Sequence, residues 1–248
     1  METNADFFVR SEALLGSEVM EALHSVRVAI VGVGGVGSYA AEALIRTGLT
    51  HLTIVDDDTV QPSNINRQLP ATASSIGMPK VEALKERLLT INPEAEIIAI
   101  QERYVAEEEK ISNLKSQISN SDYIIDAIDS VNDKADLIIS ATRARGVKVF
   151  SSMGAALRFD PTQVTTGELM DIKGDALAKA VRARMKKIGQ KPSRKVKCVY
   201  STEQAAVMAK SEGREANVKG SLMQVTAVFG LTLASLVIND IRNKHILS

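Results

Sequence analysis

Between Val28 and Leu44 the chain reads VAIVGVGGVGSYAAEAL. An apolar strand runs into four glycines within six positions, Gly32 to Gly37, and then into an alanine-rich helix. No other stretch limits the fold so tightly. A strand that turns at once into a helix through Gly32, Gly34, Gly35 and Gly37 is the entry to a parallel α/β unit. Gly32 permits the tight turn, Gly34 and Gly35 let the backbone approach a phosphate, and Gly37 lets the helix pack close to the sheet. The helix start adds oriented N–H groups and a partial positive charge, so the turn calls for a nucleotide. Asp56, nineteen residues beyond Gly37, ends the next strand, where a carboxylate can hold ribose hydroxyls. On the glycines alone, NAD is the leading nucleotide.

The alternation continues. Strands are expected at 27–31, 51–55, 96–100, 122–126 and 147–151, and helices at 10–24, 36–47, 79–91, 107–117 and 131–144. The expected fold is α/β and Rossmann-like: a mostly parallel sheet with helices on both faces and its ligand at the carboxyl ends of the strands. Residues 1–160 would hold an N-terminal helix and the nucleotide-binding region. Residues 161–248 would extend the same body, with a basic segment at 175–197, the strand-like CVYS and a long buried apolar helix at 221–243.

Composition excludes several classes. One cysteine in 248 residues leaves no disulfide framework and no multi-cysteine zinc site, which fits a reducing compartment. METNADFFVRSEALLG carries early acids and no apolar run of signal-peptide length, so a cytoplasmic protein is expected. Leu222 to Ile238 approaches spanning length, but Gln224, Thr226, Thr232 and Ser235 interrupt it. A core helix explains it better than a membrane span.

Three further stretches argue against NAD: DDDTVQPSNINRQL from Asp56 to Leu69, GMPKVEAL from Gly77 to Leu84, and DAIDS from Asp126 to Ser130. They bring Asn64, Arg67, Gln68, Lys80 and Asp129 towards the same strand ends. A glycine turn handles a pyrophosphate unaided, whereas two cations and an amide suit a longer polyphosphate. A carboxylate beside them is self-defeating unless it holds Mg2+, which prefers oxygen ligands and phosphates. The set reads as ATP with magnesium. Taken singly, Arg67 and Lys80 are ordinary surface charges and Asp129 an ordinary helix cap; together they are not.

GVGGVG, VDDDTV, SNINRQ, GMPKVEAL and DAIDS, in this order, resemble the ubiquitin-activating superfamily, which includes bacterial activators of molybdopterin and thiamine biosynthesis. The resemblance implies adenylation of a carboxylate by ATP. It places the ribose on Asp56 with help from Asp58, the phosphates on Asn64, Arg67 and Lys80, and Mg2+ on Asp129. Gln68 is given a structural role. Arg10, six residues before Gly16, matches an arginine that reaches into a partner subunit's site, which implies a homodimer.

The second half narrows the resemblance. Activators of ubiquitin-like carriers commonly carry paired CxxC motifs and a catalytic cysteine; here the lone thiol is Cys198 in KCVYSTE, which reads as a packed core residue. Between Asp175 and Glu203 stand nine basic residues and no acid: Lys179, Arg182, Arg184, Lys186, Lys187, Lys191, Arg194, Lys195 and Lys197. In a chain of zero net charge this is a segregated patch, suited to a nucleic-acid backbone, a small acidic carrier protein or simply solvent. FDPTQV, the basic segment, KCVYSTE and TAVFGLTLAS are similar to one branch, the tRNA threonylcarbamoyladenosine dehydratases. That branch implies tRNA as substrate and an association with a cysteine desulfurase or sulfur acceptor. The alternatives are an adenylating activator of a ubiquitin-like or sulfur-carrier protein's C-terminus and, further off, a nicotinamide-dependent oxidoreductase or a noncatalytic scaffold.

Overall fold

The computed structural model describes residues 7–105, 120–207 and 219–246, together with Leu114 and Ile118. The helix expected at 107–117 lies outside the described residues except for Leu114. Seven strands form one sheet: β1 (Arg27–Val31), β2 (His51–Val55), β3 (Glu96–Ile100), β4 (Tyr123–Asp126), β5 (Lys148–Ser152), β6 (Val164–Glu168) and β7 (Lys197–Ser201). Their order is β3-β2-β1-β4-β5-β7-β6, parallel throughout except for β6, which runs antiparallel to β7. The described helices are α1 (Val9–Leu15), α2 (Ser17–Ser25), α3 (Gly37–Thr47), α4 (Lys80–Leu89), α5 (Val131–Arg143), α6 (Ala176–Lys187) and α7 (Met223–Ile246). Residues beyond 160 therefore continue the same sheet.

The central strands β1, β4 and β5 are buried on both faces because their side chains alternate between two cores. In β1, Val28 and Ile30 join a cluster with Leu23, Leu44, Ile45 and Phe229, whereas Ala29 and Val31 join another with Ile138, Val181 and Cys198. β1 has β2 on one side and β4 on the other, so the direction of winding reverses there. A crevice opens at such a reversal, outside the carboxyl ends of the strands.

α7 closes the first core through a backbone approach. A Cβ on Gly230 would sit 2.3 Å from the Val36 carbonyl oxygen and 2.9 Å from the Ala40 nitrogen, so α7 lies directly on the start of α3. Although long and apolar enough to cross a membrane, α7 has half of its most apolar window buried inside the molecule. Val225, Phe229, Leu233, Val237 and Ile241 face the core, while Met223 and Leu231 are exposed.

The structure departs from the sequence reading at three places. The single helix expected over 10–24 is two, divided at Gly16, whose φ of +81° no helical residue adopts. α1 buries no residue, and Leu14, at roughly helical spacing with Val19 and Leu23 in the sequence, is 84% exposed whereas those two are buried. β6 was not foreseen: VTTGE is short and polar, and as an edge strand it is only half-buried along its length.

Candidate active site

The glycine turn sits at the winding reversal. A Cβ on Gly32 (φ +90°) would lie 2.7 Å from the Ala127 carbonyl oxygen, so the exits of β1 and β4 touch. A Cβ on Gly37 would lie 1.9 Å from the Gly32 oxygen, which ties α3 against the turn. Gly34 differs. Its nearest neighbour would be the Gln68 amide at 3.6 Å, ordinary contact distance, so the protein itself does not demand a glycine there. Gly35 faces the Arg67 carbonyl and the Thr226 hydroxyl, each 3.3 Å from a Cβ at that position. The 64–68 loop and the start of α7 thus border the turn.

Asp56 is anchored before any ligand arrives. The Val33 N–H donates to Oδ2 at 2.8 Å and the Asp58 N–H to Oδ1 at 3.0 Å. Burial is the largest influence and pushes its carboxyl above the usual range, although the nearby Lys80 charge and these two N–H groups pull it down. Lys80, only 6% exposed along its side chain, gives its Nζ to Asp58 Oδ2 at 2.6 Å, and the Asp58 end is 65% exposed. The pair aligns because the Lys80 N–H also donates to the Asp58 carbonyl and Thr59 bridges Pro79. The acids Asp56, Asp57 and Asp58 offer ligand atoms within 4.8 Å of one another.

Asn64 is buried and its Oδ1 accepts from the Gln61 N–H, capping the short turn Pro62–Asn64. Arg67 donates from Nη1 to the Ser63 carbonyl and to Asn66 Oδ1, both at 2.8 Å. Gln68 is buried with Oε1 lacking any hydrogen-bond partner. Asp129 is exposed and lies beyond β4; the N-cap of α5 is Ser130, so Asp129 does not cap that helix.

Beneath Asp129 lies a feature that sequence reasoning missed. Asp126 and Lys134 are both fully buried and paired at 2.7 Å. Asp126 also accepts from the Ser151 hydroxyl at 2.6 Å and the Ile128 N–H at 3.1 Å, while Lys134 donates to the Ser152 carbonyl. This closed network fixes the 126–130 loop that joins β4 to α5. A lone lysine one turn into a helix whose following residues are largely apolar was the available signal.

Arg10 is not brought to the others. It lies on α1, and neighbouring Phe8 packs by Gly48 at the C-terminal end of α3, whereas the glycine turn is at the opposite end. Eleven residues of α3 separate them, about 16 Å.

The basic segment is also displaced. α6 starts at the crevice end, where Asp175 caps it and accepts from the Gly154 N–H just past β5. It then runs away to the amino end of the strands. There Arg194 donates to the Thr142 and Ala144 carbonyls at the close of α5, and Arg182 donates to the Leu169 carbonyl on the way. Those two arginines serve the fold, while Lys179, Lys186, Lys187, Lys191, Lys195 and Lys197 are exposed. Cys198 is fully buried among Ile138, Val149 and Val196, and burial pushes its thiol well above the usual range.

A parallel sheet that turns through glycines into a helix at its winding reversal, with an anchored carboxylate at the next strand end, defines a nucleotide-binding α/β protein of the doubly wound class. The chain belongs to the ThiF family, whose model matches residues 8–246. It is 36% identical over 245 residues to the tRNA threonylcarbamoyladenosine dehydratase of Bacillus subtilis, covering 94% of each chain. Two crystal structures of the Escherichia coli tRNA N6-threonylcarbamoyladenosine dehydratase are also similar. The complex with ATP gives a TM-score of 0.86 at 31% identity, covering 98% of this chain and 97% of that one. The complex with AMP gives 0.87 at 32% identity, with the same coverage.

Proposed function

We propose that the chain is an ATP-dependent dehydratase that cyclises N6-threonylcarbamoyladenosine in tRNA through an acyl-adenylate. The observation that carries this reading is the likeness to a dehydratase along 94% of both chains, whereas the molybdopterin-synthase adenylyltransferases match only 56–58% of this chain. The buried Cys198 supports it as well, since a thiol sealed in the core offers no thioester route.

In this reading an oxygen of the threonyl carboxylate attacks the α-phosphorus of ATP and pyrophosphate leaves. The tethered carbamoyl group then attacks the activated carbonyl carbon and loses a proton. AMP departs with the former carboxylate oxygen, so the substrate loses one water overall. No enzyme nucleophile is required because the attacking group is a few bonds from its target. The chain positions and neutralises. Asp56 and Asp58 receive the ribose, and Gly32, Gly34, Gly35 and Gly37 admit the phosphates to the start of α3. Asn64 orders the loop from which Arg67 acts, and Arg67 and Lys80 stabilise the charge that develops on pyrophosphate. Arg67 is half-committed to loop contacts, and Lys80 is held in place by Asp58.

Magnesium fits the donors present. Asp129 offers an exposed carboxylate to an ion that keeps most of its shell from phosphates and water. When bound, the ion supplies charge neutralisation of the phosphates. The remoteness of Arg10 from its own crevice supports a homodimer in which it serves the partner's site. The exposed lysines of 175–197 are assigned to tRNA outside the reacting nucleoside, because all of them except Lys179 lie towards the far end of the strands. Association with a cysteine desulfurase or sulfur acceptor, and a cytoplasmic location alongside tRNA, complete the reading.

The test is incubation with Mg-ATP and tRNA bearing threonylcarbamoyladenosine, followed by mass analysis of the nucleosides. Loss of one water, with AMP and pyrophosphate formed, is the expected result; an unchanged nucleoside overturns it.

A further inference from the structure

Among the described residues, Arg158 is the largest buried side chain with polar atoms left unpartnered. It is 4% exposed, and its Nε and Nη1 have no hydrogen-bond partner. An arginine stays charged under all ordinary conditions, so a buried guanidinium with idle donors is costly unless something brings the missing acceptors. Its backbone is unusual as well. Leu157, the residue before it, has φ +61°, the one non-glycine residue with positive φ among those described. Such a conformation persists where the surroundings impose it, and it gathers at ligand sites. Leu157 is gripped from both sides: its N–H donates to the Gly220 carbonyl, and its own carbonyl accepts from the Ala206 N–H, each at 2.9 Å.

The position of this segment in the fold points to what it meets. Met153 to Arg158 leave the carboxyl end of β5, on the same edge of the sheet as the glycine turn. From Gly220 the chain passes to Ser221, whose carbonyl accepts from Asn66, then to Thr226, which borders Gly35. Leu157–Arg158 and the glycine turn are thus linked along one rim. Across that rim the order is Asp56 after β2, the glycines after β1, Asp129 after β4, and Arg158 after β5. With strands about 4.8 Å apart, β2 and β5 are separated by about 14 Å. A nucleotide anchored at β2 uses that distance to cross β1 and reach β4. The β5 end is left for the acceptor.

We infer that Arg158 is a substrate-binding residue that takes the free carboxylate of the acceptor, delivering it to the α-phosphate. This deepens the dehydratase reading and rests on it. A planar guanidinium matches a carboxylate with paired hydrogen bonds, and a site that buries unsatisfied donors rejects a substrate lacking the acceptor.

The test compares Arg158→Gln and Arg158→Lys with the wild-type chain, using tRNA with the threonylcarbamoyl group and the same tRNA with plain adenosine. Wild type is expected to bind the modified tRNA more tightly. Arg158→Gln is expected to bind both alike, to raise KM for the modified tRNA by about tenfold or more, and to leave Mg-ATP affinity within about twofold. Arg158→Lys, which keeps charge without the fork, falls between them. The melting temperature of Arg158→Gln should hold or rise, since a buried unpaired charge has been removed. A drop in melting temperature with discrimination intact would mean a structural arginine and overturn the assignment. Equal weakening towards both tRNAs with a shallower salt dependence would mean a phosphodiester contact, and weakened Mg-ATP a nucleotide contact; either overturns it. If the wild-type chain yields no dehydrated nucleoside, the functional reading fails and this assignment with it. If it turns over while Arg158→Gln still discriminates, only the assignment fails.

Discussion

Lys80 and Asp129 carry the sharpest consequences of single atoms. Lys80→Ala removes a cation that Asp58 holds at 2.6 Å, and Asp129→Ala removes an exposed carboxylate with no cap to lose. Each is expected to lower kcat on the order of 10²–10³-fold while circular dichroism stays unchanged, and near-wild-type turnover in either would remove its assigned role. Asp56 makes a prediction about pH with two opposite signs. Its carboxyl is raised by burial, so the folded chain holds that proton more tightly than the unfolded one. The stability contributed by Asp56 is therefore present at low pH and lost as pH rises through the raised value. Nucleotide affinity runs the other way, since ribose hydroxyls need the ionised form. Mg-ATP titrations at several pH values should show affinity falling at a higher pH than an ordinary carboxylate allows, and Asp56→Asn should flatten the curve. Cys198→Ala should keep activity within about threefold, because the thiol is sealed beside Ser151 and the Asp126–Lys134 pair, and burial keeps it protonated and without nucleophilic character.

Among the elements, two glycines separate packing from binding. Gly230→Ala forces a methyl to within 2.3 Å of the Val36 carbonyl where α7 rests on α3. Overpacking of this kind costs about 3 kcal/mol, which corresponds to roughly 6–12 °C in Tm for a chain of this size. Gly34→Ala meets only the Gln68 side chain at 3.6 Å, so Tm should hold while Mg-ATP affinity falls about tenfold. Comparable Tm losses in both variants would contradict the distinction. The sequence revealed the elements wherever an apolar run met a clear boundary, as at 27–31, 51–55 and 96–100, which match the strands residue for residue. It failed where a single residue decided matters: Gly16 divides what periodicity joins, and β6 is held by pairing with β7 rather than by its own composition. The candidate site was legible as far as loop residues of distinctive type went. The Asp126–Lys134–Ser151 network and Arg158 were not, because their meaning comes from burial, which a lone lysine or arginine in a string does not reveal.

At the scale of the whole molecule, the exposed lysines beyond the first turn of α6 and the crevice occupy different ends of the sheet, and Arg10 lies far from its own chain's crevice. If the exposed lysines of 175–197 hold tRNA, log affinity should fall with log salt by about 0.7–0.9 per phosphate contact, and charge reversal at Lys186 and Lys187 should flatten that slope. A salt-independent affinity would count against the patch. For Arg10, mixing an Arg10→Ala chain with a Lys80→Ala chain should restore roughly a quarter of wild-type activity, since half the random dimers would contain one intact site. No rescue would place Arg10 outside the partner's site. The central claim is that ATP activates the substrate as an acyl-adenylate, and oxygen tracing addresses it most directly. With both carboxylate oxygens of the threonyl group labelled by oxygen-18, one label should appear in AMP and the other remain in the cyclised nucleoside. Unlabelled AMP, or label recovered in inorganic phosphate beside ADP, would contradict it.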